Sequence, residues 1–141
     1  MQESFGAYIP FVDHLGFEMV FFEEGQSELR FAPEPEHNNS FNVVHGGAVM
    51  TLLDVTMATA ARSVERTSGA VTIEMKTSFM RAAKGALTAK GRLIHRTRNM
   101  AFTEAMVYDA QGELCAHATG TFKLVPRAPT PDKQSPEVST D

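Results

Sequence analysis

The spacing of apolar residues changes period along this chain. Over residues 4–14, Phe5, Tyr8, Ile9 and Val12 recur at helical intervals, which predicts a short covering helix. Residues 19–22 and 27–31, separated by Glu23-Glu24-Gly25-Gln26, read as a hairpin with a glycine in its turn. Residues 32–39 hold two prolines among polar residues without any period, so they form a loop. Residues 48–64 are almost wholly apolar and predict one long helix ending near Thr67-Ser68-Gly69. The pattern then changes to long strands over residues 70–80, 86–98, 101–109 and 114–125, with turns at Lys84-Gly85, Arg98-Asn99 and Gln111-Gly112. Strands that follow each other on short connections pair antiparallel, so these four are expected to meander. The predicted fold is α+β: an antiparallel sheet of five to six strands wrapped around one long helix with apolar residues on nearly every side.

That helix carries a single carboxylate. The neighbours of Asp54 at three and four residues' distance are Met50, Thr51, Met57 and Ala58, so the acid projects from a face that otherwise reads as core. A buried acid is normally hydrogen-bonded, protonated, or placed where water or substrate reaches it. Either Asp54 anchors backbone amides or it does chemistry. Gly46-Gly47 precede the helix, where the first amides have no intrahelical partner and carry the positive end of the dipole. Glycine leaves those amides open to a substrate carbonyl oxygen, a placement that stabilises developing negative charge.

Composition narrows the setting. With 141 residues and 43% hydrophobic content, the chain makes one packed domain, taken as residues 1–125. Residues 126–141 hold four prolines and no periodicity, and are expected to remain a disordered tail. The absence of a long apolar run or a basic, apolar leader points to a cytoplasmic protein without a membrane segment. The single cysteine, Cys115, excludes an intramolecular disulfide and a thiolate zinc site. A formal net charge of -4 argues against nucleic acid as a partner. The middle is nevertheless basic: nine Lys and Arg between residues 62 and 98 are accompanied only by Glu65 and Glu74. This stretch either presents solvated strand faces or meets phosphates.

Motifs of the common hydrolases, zinc enzymes and nucleotide binders are missing: the sequence has no G-x-S-x-G, HExxH, P-loop or G-x-G-x-x-G. His14, His37, His45, His95 and His117 are scattered without partners at ligand spacing, so no metal is expected. His45 directly precedes Gly46, where its ring would brace the loop or touch substrate.

Asn39, His45-Gly46-Gly47, Asp54 and Thr72 together resemble the active-site pattern of hotdog-fold acyl-CoA thioesterases of the phenylacetate-degradation type. The resemblance spans about residues 5 to 125 and implies the hotdog fold. It implies that Asp54 attacks the thioester or activates water, that the Gly46 amide polarises the carbonyl with help from Asn39, and that Thr72 orients the water. It also implies a homodimer or homotetramer whose site lies between subunits, Asn39 and Gly46 coming from one and Asp54 and Thr72 from the other. Asn42 stands where relatives often have glycine, which either reshapes the loop or uses asparagine's tolerance of left-handed backbone.

Thioesters are activated acyl donors, so an oxyanion site and a placed carboxylate suffice without a serine triad. Gly47, Phe41, Val44, Met50 and Met57 are candidates to contact the acyl group, and Arg81, Lys84, Arg96 and Arg98 to meet the phosphates of coenzyme A. No cofactor is expected, coenzyme A being part of the substrate. Two alternatives stay open on the same scaffold: a non-catalytic acyl-CoA binding or sensing protein, and an acyl-thioester hydratase or dehydratase.

Overall fold

A computed structural model describes residues 5–127. It shows the hotdog arrangement, with six antiparallel strands curving around one long helix. The elements are α1 (Pro10–Leu15), β1 (Glu18–Glu23), β2 (Gln26–Phe31), a 3-10 turn (Pro35–His37), α2 (Gly46–Arg62), β3 (Ser68–Phe79), β4 (Leu87–Arg96), β5 (Met100–Tyr108) and β6 (Leu114–Pro126).

The first helix is shorter than its periodicity predicts. Pro10 opens it, since proline has no N–H and its predecessor, Ile9, is held extended at φ -119°. Gly16, left-handed at φ 82°, closes it. Phe5 still packs in the core, because the buried Arg62 Nη2 donates to the Phe5 carbonyl at 2.6 Å.

Helix α2 begins two residues before the predicted start, so Gly46 and Gly47 are its first helical residues. It ends at Arg62, and Ser68 and Gly69, predicted at its end, instead open β3. The sheet face against it carries glycine on two strands, Gly91 on β4 and Gly120 on β6. At Gly91 an added Cβ would lie 2.8 Å from the Thr56 carbonyl oxygen, and at Gly120 one would lie 3.0 Å from Met57 Cε. Ser27 Oγ donates to that Thr56 carbonyl at 2.6 Å, tying β2 to the helix. Leu52, Leu53 and Met57 are thereby sealed against the sheet with no exposed surface.

Two predictions about the layout are corrected. The last four strands do not meander as one: β4, β5 and β6 do, whereas β3 pairs with β6 and ends the sheet, giving the order β1-β2-β4-β5-β6-β3. The loop of residues 80–86 therefore carries the chain from one edge to the middle of the sheet. Nor does the sheet wrap every side of α2. Gly47, Met50, Thr51, Asp54 and Ala58, one stripe at helical spacing, keep surface exposed because the sheet curves past only part of the helix. The predicted tail is corrected at its start, since Pro126 pairs with Ser68 and Arg127 N donates to Thr67 O at 3.2 Å. The rest of that prediction lies outside the described residues.

Candidate active site

The glycine-bearing loop is built by one asparagine. Asn39 Oδ1 accepts from the amides of Phe41 at 2.9 Å and Val43 at 3.2 Å, and Asn39 N donates to Val43 O at 2.8 Å. Because the oxygen faces those two donors, the NH2 group is the end of Asn39 left for other partners. Asn42 adopts φ 66°, so it uses the left-handed conformation that asparagine tolerates and glycine would supply.

His45 follows as the cap of α2. Its Nδ1 accepts from Gly47 N at 2.8 Å, which puts the proton of the neutral ring on Nε2. Its carbonyl accepts from Ala48 N at 3.0 Å and Val49 N at 3.2 Å. Of the first four amides of the helix, His45 thus satisfies three. The fourth, Gly46 N–H, donates to no protein group among the described residues. It stands at the positive end of the helix, on the wall of a cavity of about 380 Å³ that Asn39, Val44, Val49 and Phe79 also line. His45 therefore braces the loop, and Gly47, whose amide it occupies, offers no donor to a substrate.

Asp54 lies elsewhere. Thr72 Oγ1 donates to Asp54 Oδ1 at 2.7 Å, and both residues line a second cavity, of about 360 Å³, with Gly47, Met50, Thr51 and Met75. A β-bulge aims Thr72 at the helix: Thr72 pairs with Phe122 and Glu74 with Thr121, leaving Ile73 as the extra residue. Burial raises the Asp54 pKa above the ordinary carboxylate value, and the Thr72 hydrogen bond opposes part of that rise. The result is a carboxylate with one oxygen fixed, the other not engaged by any group among the described residues, and increased basicity.

Eight residues of helix separate Gly46 from Asp54, about 12 Å along the axis. One chain therefore brings Gly46, Asn39 and Val44 together, and Asp54, Thr72 and Met50 together, but not the two groups with each other. Met57 is corrected from pocket to core, being fully buried under Gly120. Phe41 is 82% exposed and lines neither cavity.

The basic residues also separate into two groups. Arg81 lines the Gly46 cavity and pairs with Glu113 at 3.7 Å, and Lys84 is exposed on the same loop. Arg96 and Arg98 line a third cavity, of about 580 Å³, at the opposite end of α2, with Ser68, Asn99 and Arg127. Arg96 is already engaged there by Glu65 at 3.0 Å and by the carbonyls of Thr97 and Arg98. The sequence reading missed Phe79, Met75 and Arg127. Among the described residues no three His, Cys, Asp or Glu side chains gather as metal ligands, and no helix is long and apolar enough to cross a membrane.

Comparison with known proteins agrees with this geometry. A Saccharolobus solfataricus protein carrying an esterase name is 29% identical over 109 residues, 77% of this chain and 73% of its own. A solved structure of a conserved Pseudomonas aeruginosa protein superimposes with a TM-score of 0.80 at 30% identity, covering 84% of this chain and 95% of the other. A Streptococcus mutans protein solved with acetyl CoA bound superimposes with a TM-score of 0.72 at 26% identity, covering 80% and 92%. The family profile described as the thioesterase superfamily matches residues 41–116, which take in the Gly46 loop, all of α2 and the Asp54–Thr72 pair. The chain belongs to the thioesterase superfamily.

Proposed function

We infer that the protein hydrolyses acyl-CoA thioesters at a site assembled from two copies of the chain. The observation that carries this reading is the separation of the unpaired Gly46 amide from the Asp54–Thr72 pair, each beside its own cavity. The thioester carbonyl oxygen accepts from Gly46 N–H of one chain, with the Asn39 NH2 group alongside. Asp54 of the other chain either attacks the carbonyl carbon or takes a proton from the water that does. In the water route a C–O bond forms, the C–S bond breaks, and the proton held by Asp54 passes to the departing thiolate. Thr72 fixes the carboxylate throughout.

Two further features support pairing. Strand β3 is an uncovered sheet edge with Val71 and Ile73 exposed, and the open stripe of α2 runs beside it. Two β3 edges laid antiparallel would set the Thr72 half of one chain beside the Phe79 and Gly46 end of the other. The same arrangement brings the Arg98 cavity of one chain toward the Arg81 loop of its partner, so that basic groups about 25 Å apart on one helix length face a single substrate. The acetyl CoA bound to the Streptococcus mutans relative supports coenzyme A as the carrier.

The test is thiol release from a panel of acyl-CoAs. The wild-type protein is expected to turn over at least one, and Asp54→Asn to lower kcat by about a hundredfold or more while remaining folded. A folded Asp54→Asn protein with wild-type turnover would remove Asp54 from the mechanism.

A further inference from the structure

The three cavities differ in chemistry. The one at the Arg98 end is lined by arginines, a glutamate and hydroxyls, and the one at Asp54 by an acid, two threonines and two methionines. The cavity beside Gly46 has a floor of core residues, Val49, Ala83, Cys115 and Ala116, each at most 5% exposed. Phe79 forms a wall, its ring 3.4 Å from where a Cβ on Gly46 would lie, and Ala82 sits exposed at the rim.

A carbonyl oxygen held by Gly46 N–H fixes the thioester carbon at this wall, so one of its two substituents enters the cavity and the other leaves it. The sulfur side continues into pantetheine, whose amides need hydrogen-bond partners, and into phosphates, which need cations. The cavity's polar side chains are Asn39, whose oxygen already accepts from Phe41 N and Val43 N, and Arg81, which is exposed and paired with Glu113; the buried floor of Val49, Ala83, Cys115 and Ala116 supplies neither partner nor cation. The acyl side needs only apolar surface. Resting on the hydrolase reading above, we propose that the cavity under Gly46 and Phe79 is the acyl pocket, and that it selects compact acyl groups. Its length is limited by what stands behind the floor: Leu52, Leu53 and Met57 have no exposed surface, so the core is filled and no channel continues inward. A volume of about 380 Å³ lies near the lower end of the range for small-molecule sites. The specificity-determining positions are then Phe79, Ala82 and Ala116, none of which touches the reacting carboxylate in this chain.

Equilibrium binding tests this separately from turnover. In Asp54→Asn protein, octanoyl-CoA is expected to bind at least tenfold more tightly than free CoA, the effect of burying about two methylene groups. Lengthening the chain to palmitoyl should add less than twofold. The added substitution Ala82→Trp, at an exposed rim position, should abolish the octanoyl preference and change the affinity of free CoA by less than twofold. A preference that survives Ala82→Trp, or a loss confined to free CoA, would overturn the assignment, the second outcome placing the pantetheine arm in the cavity. Steadily rising affinity up to palmitoyl would overturn the size limit. Because no turnover is needed, a wild-type protein that binds these ligands but hydrolyses none of them would defeat the hydrolase reading and leave the pocket assignment standing.

Discussion

Asp54 is the residue on which most consequences rest, since burial holds its carboxyl partly back from ionising. A carboxyl whose pKa is higher in the folded protein than in the unfolded chain favours folding while protonated. That contribution is complete below the ordinary carboxylate value and is lost as pH rises through the raised one. At neutral pH the ionised acid therefore lowers stability. Asp54→Asn is expected to melt at a higher temperature than wild type at pH 7, with the gap closing in acid below the usual carboxylate range. An equal or lower melting temperature at pH 7 would contradict the burial argument. The acid limb of the kcat/KM profile should lie above the ordinary carboxylate value. Thr72→Val removes the hydrogen bond that opposes the rise, so the limb should move to still higher pH. A Thr72→Val protein with lower activity but an unmoved limb would make Thr72 a packing residue. Asp54 and Gly46 are legible in the sequence because each breaks a pattern, an acid on an apolar face and a glycine pair at a helix start, and His45 by its place beside that pair; Asn39 and Thr72 break none and are reached only through the family resemblance. Phe79, Met75 and Arg127 break none.

The elements show why the reading stops where it does. Long apolar runs and alternation reveal the hairpin, α2 and the four later strands, because burial on one face imposes a period. They do not reveal a bulge. Counting by twos from Thr72 would put residues 74, 76 and 78 toward the helix, but the extra residue Ile73 resets the alternation so that Met75 and Phe79 face it instead. That one residue decides both cavity walls. Strand partners are hidden for another reason: a connection of seven residues between β3 and β4 is short enough to suggest pairing, yet it carries the chain from the edge to the middle of the sheet, and β3 pairs instead with β6, the last strand in the chain. Helix and sheet meet closely at Gly91, where a methyl group would press on the Thr56 carbonyl at 2.8 Å and on Ser27 Oγ at 2.9 Å. Gly91→Ala should destabilise the fold by about 1–3 kcal/mol, read by denaturant titration, although alanine ordinarily suits a strand better than glycine. A neutral or stabilising effect would mean that the helix moves off the sheet freely.

For the whole molecule the question is what lies against the open edge and the open stripe. The division of the basic residues makes one forecast. Arg96 is held by Glu65 and two carbonyls, so Arg98, which lines the same cavity, is the better candidate for a phosphate. Arg98→Ala should raise KM for a CoA thioester without lowering kcat, and should spare hydrolysis of the same acyl group on a short thiol lacking phosphates. Equal effects on both substrates would assign Arg98 to structure. The fold itself could be read from the chain before the partner could, because the apolar period reports that a face is buried and not which chain buries it.

The shared site is tested most directly by mixing two inactive proteins. Asn39→Ala removes the acceptor that shapes the Gly46 loop, and Asp54→Asn removes the acid, so each homodimer lacks one half of every site. Chains unfolded and refolded together in equal amounts should form mixed dimers with one intact site each, restoring about a quarter of wild-type activity per chain under random pairing. Mixed dimers verified by mass that stay as inactive as their parents would place Gly46 and Asp54 in the same subunit's site, against the separation seen along α2.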